Sequence, residues 1–326
     1  MLYNSLKNYC EQFELYILCL DDFTREYFSK NIDLYPEIKI LSLNEIEGYD
    51  KEFKECKTNR STIEYYFTLS PCLPLYLLKK FKIPHICSLD ADIMFFSSPA
   101  VVFSYLEKYS ILITPHNFSE ELKSLETYGL YNVSFQIFKN DNHGLVCLES
   151  WRKQCIDWCY DRLEEGKYAD QKYLDNWVKS FKGVCPIDLP GIGVAPWNLN
   201  SYKIAFIGNQ LFLDNNKLIC YHFHGLRFIN RNLIIHGMSK YGVRINKIIT
   251  GHIYKPYIKK LLSYKLGNDS EIERHIISPQ STFETILFQN NWYYYKSGIL
   301  FEKNSFFDLL GRSINYFRKQ IIKWRN

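Results

Sequence analysis

No run of about 18 or more apolar residues occurs in this chain, so no segment is long enough to cross a bilayer as a helix. The start carries no signal-peptide pattern, and the ten cysteines include no C-x-x-C pair. Scattered thiols behind such a start predict reduced cysteines in a cytoplasmic protein. Cys155 and Cys159, four apart in an apparent helix, read as core residues before metal ligands. Internal repeats and low-complexity tracts are missing too. So is any helix-turn-helix, zinc-finger or ribonucleoprotein pattern, and nucleic acid is therefore not an expected partner.

What is present is ample core. Apolar residues make up 47% of the chain and charged residues 23%, a balance that argues against disorder. The 26 Tyr and 23 Phe fit polar-faced clefts and a membrane-contacting surface equally well. A net charge of +5 hides an asymmetry, because residues 241–326 hold fourteen Lys and Arg against six Asp and Glu. The length suits one large domain with a substantial extension. The division falls at 1–240 and a basic, mostly helical C-terminal region, 241–326.

Apolar periodicity places strands near 13–20, 37–43, 85–89, 110–114, 132–138, 203–207, 210–213 and 218–223. Helices are expected over 22–30, 61–81 (broken by Pro71 and Pro74), 100–108 and 143–164, with a Pro- and Gly-rich loop at 183–200. Strands alternating with helices indicate an α/β fold with a mainly parallel sheet. In segment 304–326, Phe306, Phe307, Leu310, Ile314, Phe317, Ile321 and Trp324 recur at helical spacing between five basic residues. Such a helix lies on an anionic bilayer or packs its apolar face on the domain.

The chemistry starts where the strand at 85–89 ends, in Asp90-Ala91-Asp92. Residues two apart on an extended chain face one side, and hard carboxylate oxygens suit magnesium or manganese. Three clusters follow in order. Asn132 opens an apolar strand; Asp170-Gln171 precedes a helical segment that Asp170 would equally cap; Tyr221-His222-Phe223-His224-Gly225 puts two imidazoles on one strand face. Paired strand histidines usually serve buried polar groups. Two carboxylates and one imidazole nevertheless form an open site for an octahedral divalent ion.

The ordered set SLDADIMFF, YNVSFQIF, ADQKYLD, APWN and YHFHG resembles glycosyltransferases of the GT-A fold (Rossmann-like, a mainly parallel mixed sheet with flanking helices). The likeness is nearest the family-eight-like retaining enzymes and bacterial surface-polysaccharide transferases. It covers roughly residues 1–230. The resemblance implies that Asp90, Asp92 and His222 hold Mn²⁺, or Mg²⁺, against the diphosphate of a nucleotide-sugar, most often a UDP-sugar. It implies that Asn132, Asp170 and Gln171 meet the donor sugar, the last two as the catalytic pair. Trp197 and Asn198 would shape the acceptor side, Arg60 would meet the nucleotide or its phosphates, and His224 and Gly225 would complete the diphosphate loop. The acceptor implied is a surface glycan or a lipid-linked glycan at the inner face of the cell membrane.

Three features depart from the family pattern. The chain starts at the helix that normally follows a first strand, and without that inner strand the sheet should be interrupted. Ser134 stands where the family usually has Gly, and Phe228 where many members have Lys. These departures leave a second reading open, a catalytically inactive nucleotide-sugar- or glycan-binding homologue. A phosphatase of the Asp-x-Asp-x-Thr type fits less well, because Met94 occupies the Thr position.

Overall fold

A computed structural model describes residues 1–230, 233–263, 286–287, 292–295 and 299–302. The chain divides into two compact units, Met1–His222 and Phe223–Asn326, so the boundary expected at 240 falls inside the second. Among the described residues no helix is long and apolar enough to cross a membrane. The amphipathic segment 304–326 lies outside the described residues.

The first unit opens with α1 (Leu2–Tyr9), β1 (Leu15–Cys19), α2 (Asp22–Lys30), β2 (Ile38–Ser42), α3 (Leu43–Tyr49), α4 (Lys51–Glu55) and α5 (Thr62–Phe81). It continues with β3 (His85–Leu89), β4 (Ile93–Phe95), α6 (Ala100–Phe103), β5 (Ile111–Pro115), β6 (Tyr131–Lys139), α7 (Asn142–Asp157), α8 (Trp177–Ser180) and β7 (Val184–Pro186). β8 (Ile204–Ile207), β9 (Gln210–Leu213), β10 (Asn216–Lys217) and β11 (Cys220–His222) complete it. In the second unit are β12 (Arg227–Asn230), β13 (Leu233–Ile235), a π-helical turn Ile249–Tyr254, α9 (Lys255–Ser263), β14 (Ile286–Leu287), β15 (Trp292–Tyr295) and β16 (Ile299–Glu302). In the C-terminal region, expected to be mostly helical, α9 is joined by β14, β15 and β16, which share one sheet with β12 and β13.

The architecture is mixed α/β, with the main sheet in the order β3-β6-β5-β7. Among the described strands parallel pairing occurs at β1–β2, β5–β7 and β14–β16, whereas β6 runs antiparallel to both of its neighbours. The mainly parallel sheet predicted from strand–helix alternation is thus corrected. A 3₁₀ helix, Glu120–Tyr128, lies between β5 and β6, and the two strands pair antiparallel. β1 and β2 form a sheet of their own, hydrogen-bonded to neither edge of the four-stranded one.

α5 runs unbroken for 20 residues across Pro71 and Pro74, where the sequence predicts a break. Both prolines are buried, and their packing offsets the two backbone bonds that their missing N–H groups forfeit. A capping box at Ser61 and Glu64 fixes the start of the helix. α7 stops at Asp157 rather than running to 164, since Trp158 is extended. On one face of the main sheet, Leu75 and Leu78 of α5 and Trp151 of α7 pack with Phe138 and Trp177. The Trp151 and Trp177 rings meet edge to face at 5.3 Å, an arrangement that adds to plain area burial.

One ion pair ties the α3–α4 corner to α7. The Arg152 guanidinium grips both oxygens of buried Asp50 and reaches Glu52 at 2.8 Å. Burial pushes the Asp50 carboxyl up, but Arg152 and the Phe53 N–H outweigh it and hold the group below its usual range. Arg152→Ala strands that carboxylate and should lower unfolding free energy by about 3 kcal/mol, read from urea midpoints at constant m. The difference between wild type and variant should be full above about pH 4 and shrink as pH falls further, because Asp50 then protonates in the native state as well.

Candidate functional site

The site begins with a strand pairing. β4 and β11 run antiparallel with Ile93 opposite His222, Met94 opposite Tyr221 and Phe95 opposite Cys220. On the other side the N–H of His222 donates to Val194 O at 2.8 Å. β4 is held from α1 as well, where the Phe95 N–H donates to Ser5 Oγ at 3.1 Å. Ile93, Phe95 and Cys220 are buried in one cluster with Phe135 and Leu6. The polar ends of these strands are thus carried on an apolar base.

Asp90 and Asp92 are not on an extended strand. They lie in the turn between β3 and β4, where the Ile93 N–H donates to Asp90 O at 3.3 Å and the Asp90 N–H to Ser134 O at 3.0 Å. The turn, rather than strand alternation, brings the carboxylates together. His222 Nε2 stands 3.0 Å from Asp92 Oδ1 and 3.6 Å from Asp90 Oδ2. One ligand atom from each of the three residues falls within 4.8 Å of the others. Both carboxylates are close to half exposed while the imidazole is 7% exposed. Burial lowers the His222 pKa, yet its hydrogen bond to Asp92 and the two negative charges raise it overall.

Two hard oxygen donors and one imidazole suit a divalent ion such as magnesium or manganese. Open faces on the carboxylates leave coordination positions for other ligands. The donor set therefore fits a metal centre, and a cation would take over the charge balance that His222 supplies.

The remaining sequence-derived residues divide sharply. Asp170 is 2% exposed and follows Ala169, whose φ of 46° is rare outside glycine. Its carbonyl accepts from Trp151 Nε1 at 2.8 Å, and its Oδ2 finds no hydrogen-bond donor among the described residues. Burial pushes its carboxyl up; Ser70 and backbone N–H groups pull it down, Asp90 adds repulsion, and the result is about 7. Its side chain caps no helix, because the 3₁₀ turn that follows has Gln171 at its N-cap position. Gln171 Nε2 donates to Tyr128 O at 3.1 Å.

Asn132 is engaged inside the sheet. Its Nδ2 reaches Thr114 O and Pro115 O, and its Oδ1 accepts from the N–H and hydroxyl of Ser134. Arg60 donates to Ile156 O and Asn59 Oδ1 and lies 3.9 Å from the Tyr160 ring centre. Asn198 bridges the Ala195 N–H and the carbonyls of His116 and Gly193. Gly193 has φ 68°, and a Cβ there would come within 2.3 Å of Thr114 Cγ2, so a larger residue would disturb this loop. β11 ends at His222, so the predicted pairing of His222 and His224 on one strand face does not form. His224 and Gly225 sit in a turn of the second unit, where His224 faces the Tyr241 ring and Gly225 takes φ 77°.

Sequence reasoning missed His116. Its ring stacks on Phe118 at 4.6 Å and meets Trp197 at 5.3 Å, and Trp197 meets His222 edge to face at 5.5 Å. A polar residue at the end of an apolar strand was the available signal, and nothing in its spacing pointed to His222. Trp197 is 5% exposed and packs against the rings of both His116 and His222.

Trp197→Ala frees the His222 ring to rotate and should weaken manganese binding about tenfold by calorimetry, whereas Trp197→Phe should stay within about twofold. Asp170 generates a stability test. Folding holds its proton between the unfolded-chain value of 3.8 and about 7, so wild type loses stability as pH rises through that window. Metal-free Asp170→Asn should melt above wild type at about pH 8, with the gap closing toward pH 4 in calorimetric scans.

No family model matches the chain. It is 29% identical over 262 residues to the uncharacterized protein YfnD of Bacillus subtilis (strain 168), covering 79% of this chain and 82% of that protein. With the uncharacterized protein YfnF of the same strain it shares 30% identity over 243 residues, 72% of this chain and 78% of that relative. Identity of that level over so much of both chains makes this protein a member of the family that contains YfnF.

Proposed function

We propose that the first unit is a metal-dependent glycosyltransferase that moves a sugar from a nucleotide-diphosphate sugar, a UDP-sugar by resemblance, to a glycan or lipid-linked acceptor. The observation that carries this reading is the convergence of Asp90, Asp92 and His222 on one open donor set, with Asp170 close enough to Asp90 to feel its charge. Asp90, Asp92 and His222 would hold Mn²⁺ or Mg²⁺, which supplies Lewis-acid stabilisation of charge on a diphosphate leaving group.

In transfer, the bond between the anomeric carbon and the diphosphate oxygen breaks and a bond to the acceptor hydroxyl oxygen forms. The hydroxyl proton leaves with the diphosphate or to water. The sugar ring gains oxocarbenium character as the bond breaks. Gln171 presents an amide dipole beside it, and Asp170 a buried carboxyl, as fixed electrostatic support. An open groove of about 510 Å³ is lined in part by Thr127, Glu165 and Lys172, the last of these next to Gln171 in the chain. Retention of anomeric configuration rests on the family resemblance.

A second reading, a nucleotide-sugar-binding protein without turnover, is favoured by the internal engagement of Asn132 and Arg60. Calorimetry with UDP and manganese beside an assay of donor hydrolysis separates the two. Binding with turnover supports the transferase, binding alone supports the second reading, and no UDP binding with or without metal removes both. Asp92→Asn should abolish manganese-dependent turnover while leaving the melting temperature nearly unchanged, since Asp92 is half exposed; turnover at the wild-type rate would refute the assignment.

A further inference from the structure

β3 and β5 both run antiparallel to β6, and β7 runs parallel to β5. The carboxyl ends of β3, β5 and β7 therefore lie along one edge of the main sheet, the edge at which open α/β sheets hold their ligands. Asp90 follows β3 there, His116 follows β5, and the segment after β7 carries Trp197. β11 ends at His222, so strand pairing fixes the backbone of that residue but not the torsions of its ring. A ligating imidazole holds its metal well only when its neighbours fix the ring's orientation.

A row of rings meets that need. Trp197 stands edge to face against His222, with the planes at 86°, and the same indole meets His116 at 66°. His116 lies almost parallel to Phe118, at 10°. His116 and Trp197 are both buried. Hydrogen bonds tie the two segments together beside the ring contact: Asn198 Nδ2 donates to His116 O at 2.9 Å, and the Ser119 N–H donates to Trp197 O at 3.3 Å. Asn198 Oδ1 accepts from the Ala195 N–H at 3.0 Å, next to Val194, whose carbonyl holds the backbone of His222. Residues 194–198 thus reach His222 twice, through its backbone and through its ring. A void the size of an imidazole behind a buried indole leaves the indole room to tilt, and the His222 ring then loses its support.

We infer that His116 is a positioning residue for the metal centre: through the Trp197 ring it fixes the orientation in which His222 meets a divalent ion shared with Asp90 and Asp92. The inference rests on the reading of those three residues as a metal site, and it stands whether or not the first unit transfers a sugar. A direct neighbour of a ligand is worth about tenfold or more in metal affinity. His116 is one contact further out, so His116→Ala should weaken manganese binding about fivefold.

The experiment is calorimetric titration of the full chain with manganese alone, without nucleotide, as a double-mutant cycle on His116→Ala and Trp197→Ala. In the Trp197→Ala background, His116→Ala should change affinity by less than about twofold, because the ring through which it acts is gone. His116→Phe keeps a flat ring between Phe118 and Trp197 and should stay within about twofold of wild type. His116→Leu, which fills most of the volume without a flat ring, should cost about threefold and takes the place of the Ala variant in the cycle if that variant does not fold. Wild-type affinity without the ring, the same loss in both backgrounds, or a loss in His116→Phe as large as in the variants without a ring would overturn the inference and leave the metal centre standing. No manganese binding by the wild type would remove the metal centre itself, and the inference with it.

Discussion

The three-residue ladder between β4 and β11 is the constraint on which the candidate site depends. It joins residues 93–95 to residues 220–222 and so places His222 at the carboxylates of the β3–β4 turn. The ladder is short, and its own hydrogen bonds would not hold it alone. Its strength comes from both flanks: Ser5 of α1 accepts from β4, and Val194 accepts from β11. Beneath it, Ile93, Phe95 and Cys220 are almost fully buried. Polar function at one end of the strands is supported by apolar packing along the rest.

Charge is the second theme of the first unit. Asp90 and Asp92 are close, and Asp170 lies near enough to Asp90 for repulsion to raise its pKa. Three carboxyls within reach of one another cost stability unless protons or cations offset them. His222 provides part of that balance through its contacts with Asp90 and Asp92, and burial shifts Asp170 toward its neutral form. A divalent cation at the three-residue group would complete it. Strain at Ala169 points the same way, since backbone in a rare conformation persists only where its surroundings hold it.

Local signals were legible wherever they were strong. β1, α2, β2, β3 and the start of α5 lie where periodicity and capping residues put them. The errors have specific causes. Buried prolines do not interrupt α5, because tertiary packing overrides the local cost. Trp158 continues the apolar stripe of α7 on paper, yet the chain turns extended there. The strand direction of β6 could not be read at all, since alternation of apolar residues is the same in parallel and antiparallel pairs.

For the site, composition and order alone determined that carboxylates, an imidazole and a buried-strand terminus occur in this chain, and which residues to test. The sequence also carried the segregation of charge into the second unit, since counting needs no coordinates. Only the tertiary structure decided which candidates meet. It brings His222 to Asp90 and Asp92, because β11 pairs with β4 up to that residue. It turns Asn132 and Arg60 toward protein partners and sets His116 and Trp197 behind the imidazole. Such choices depend on contacts between residues on different elements, and no local pattern encodes them.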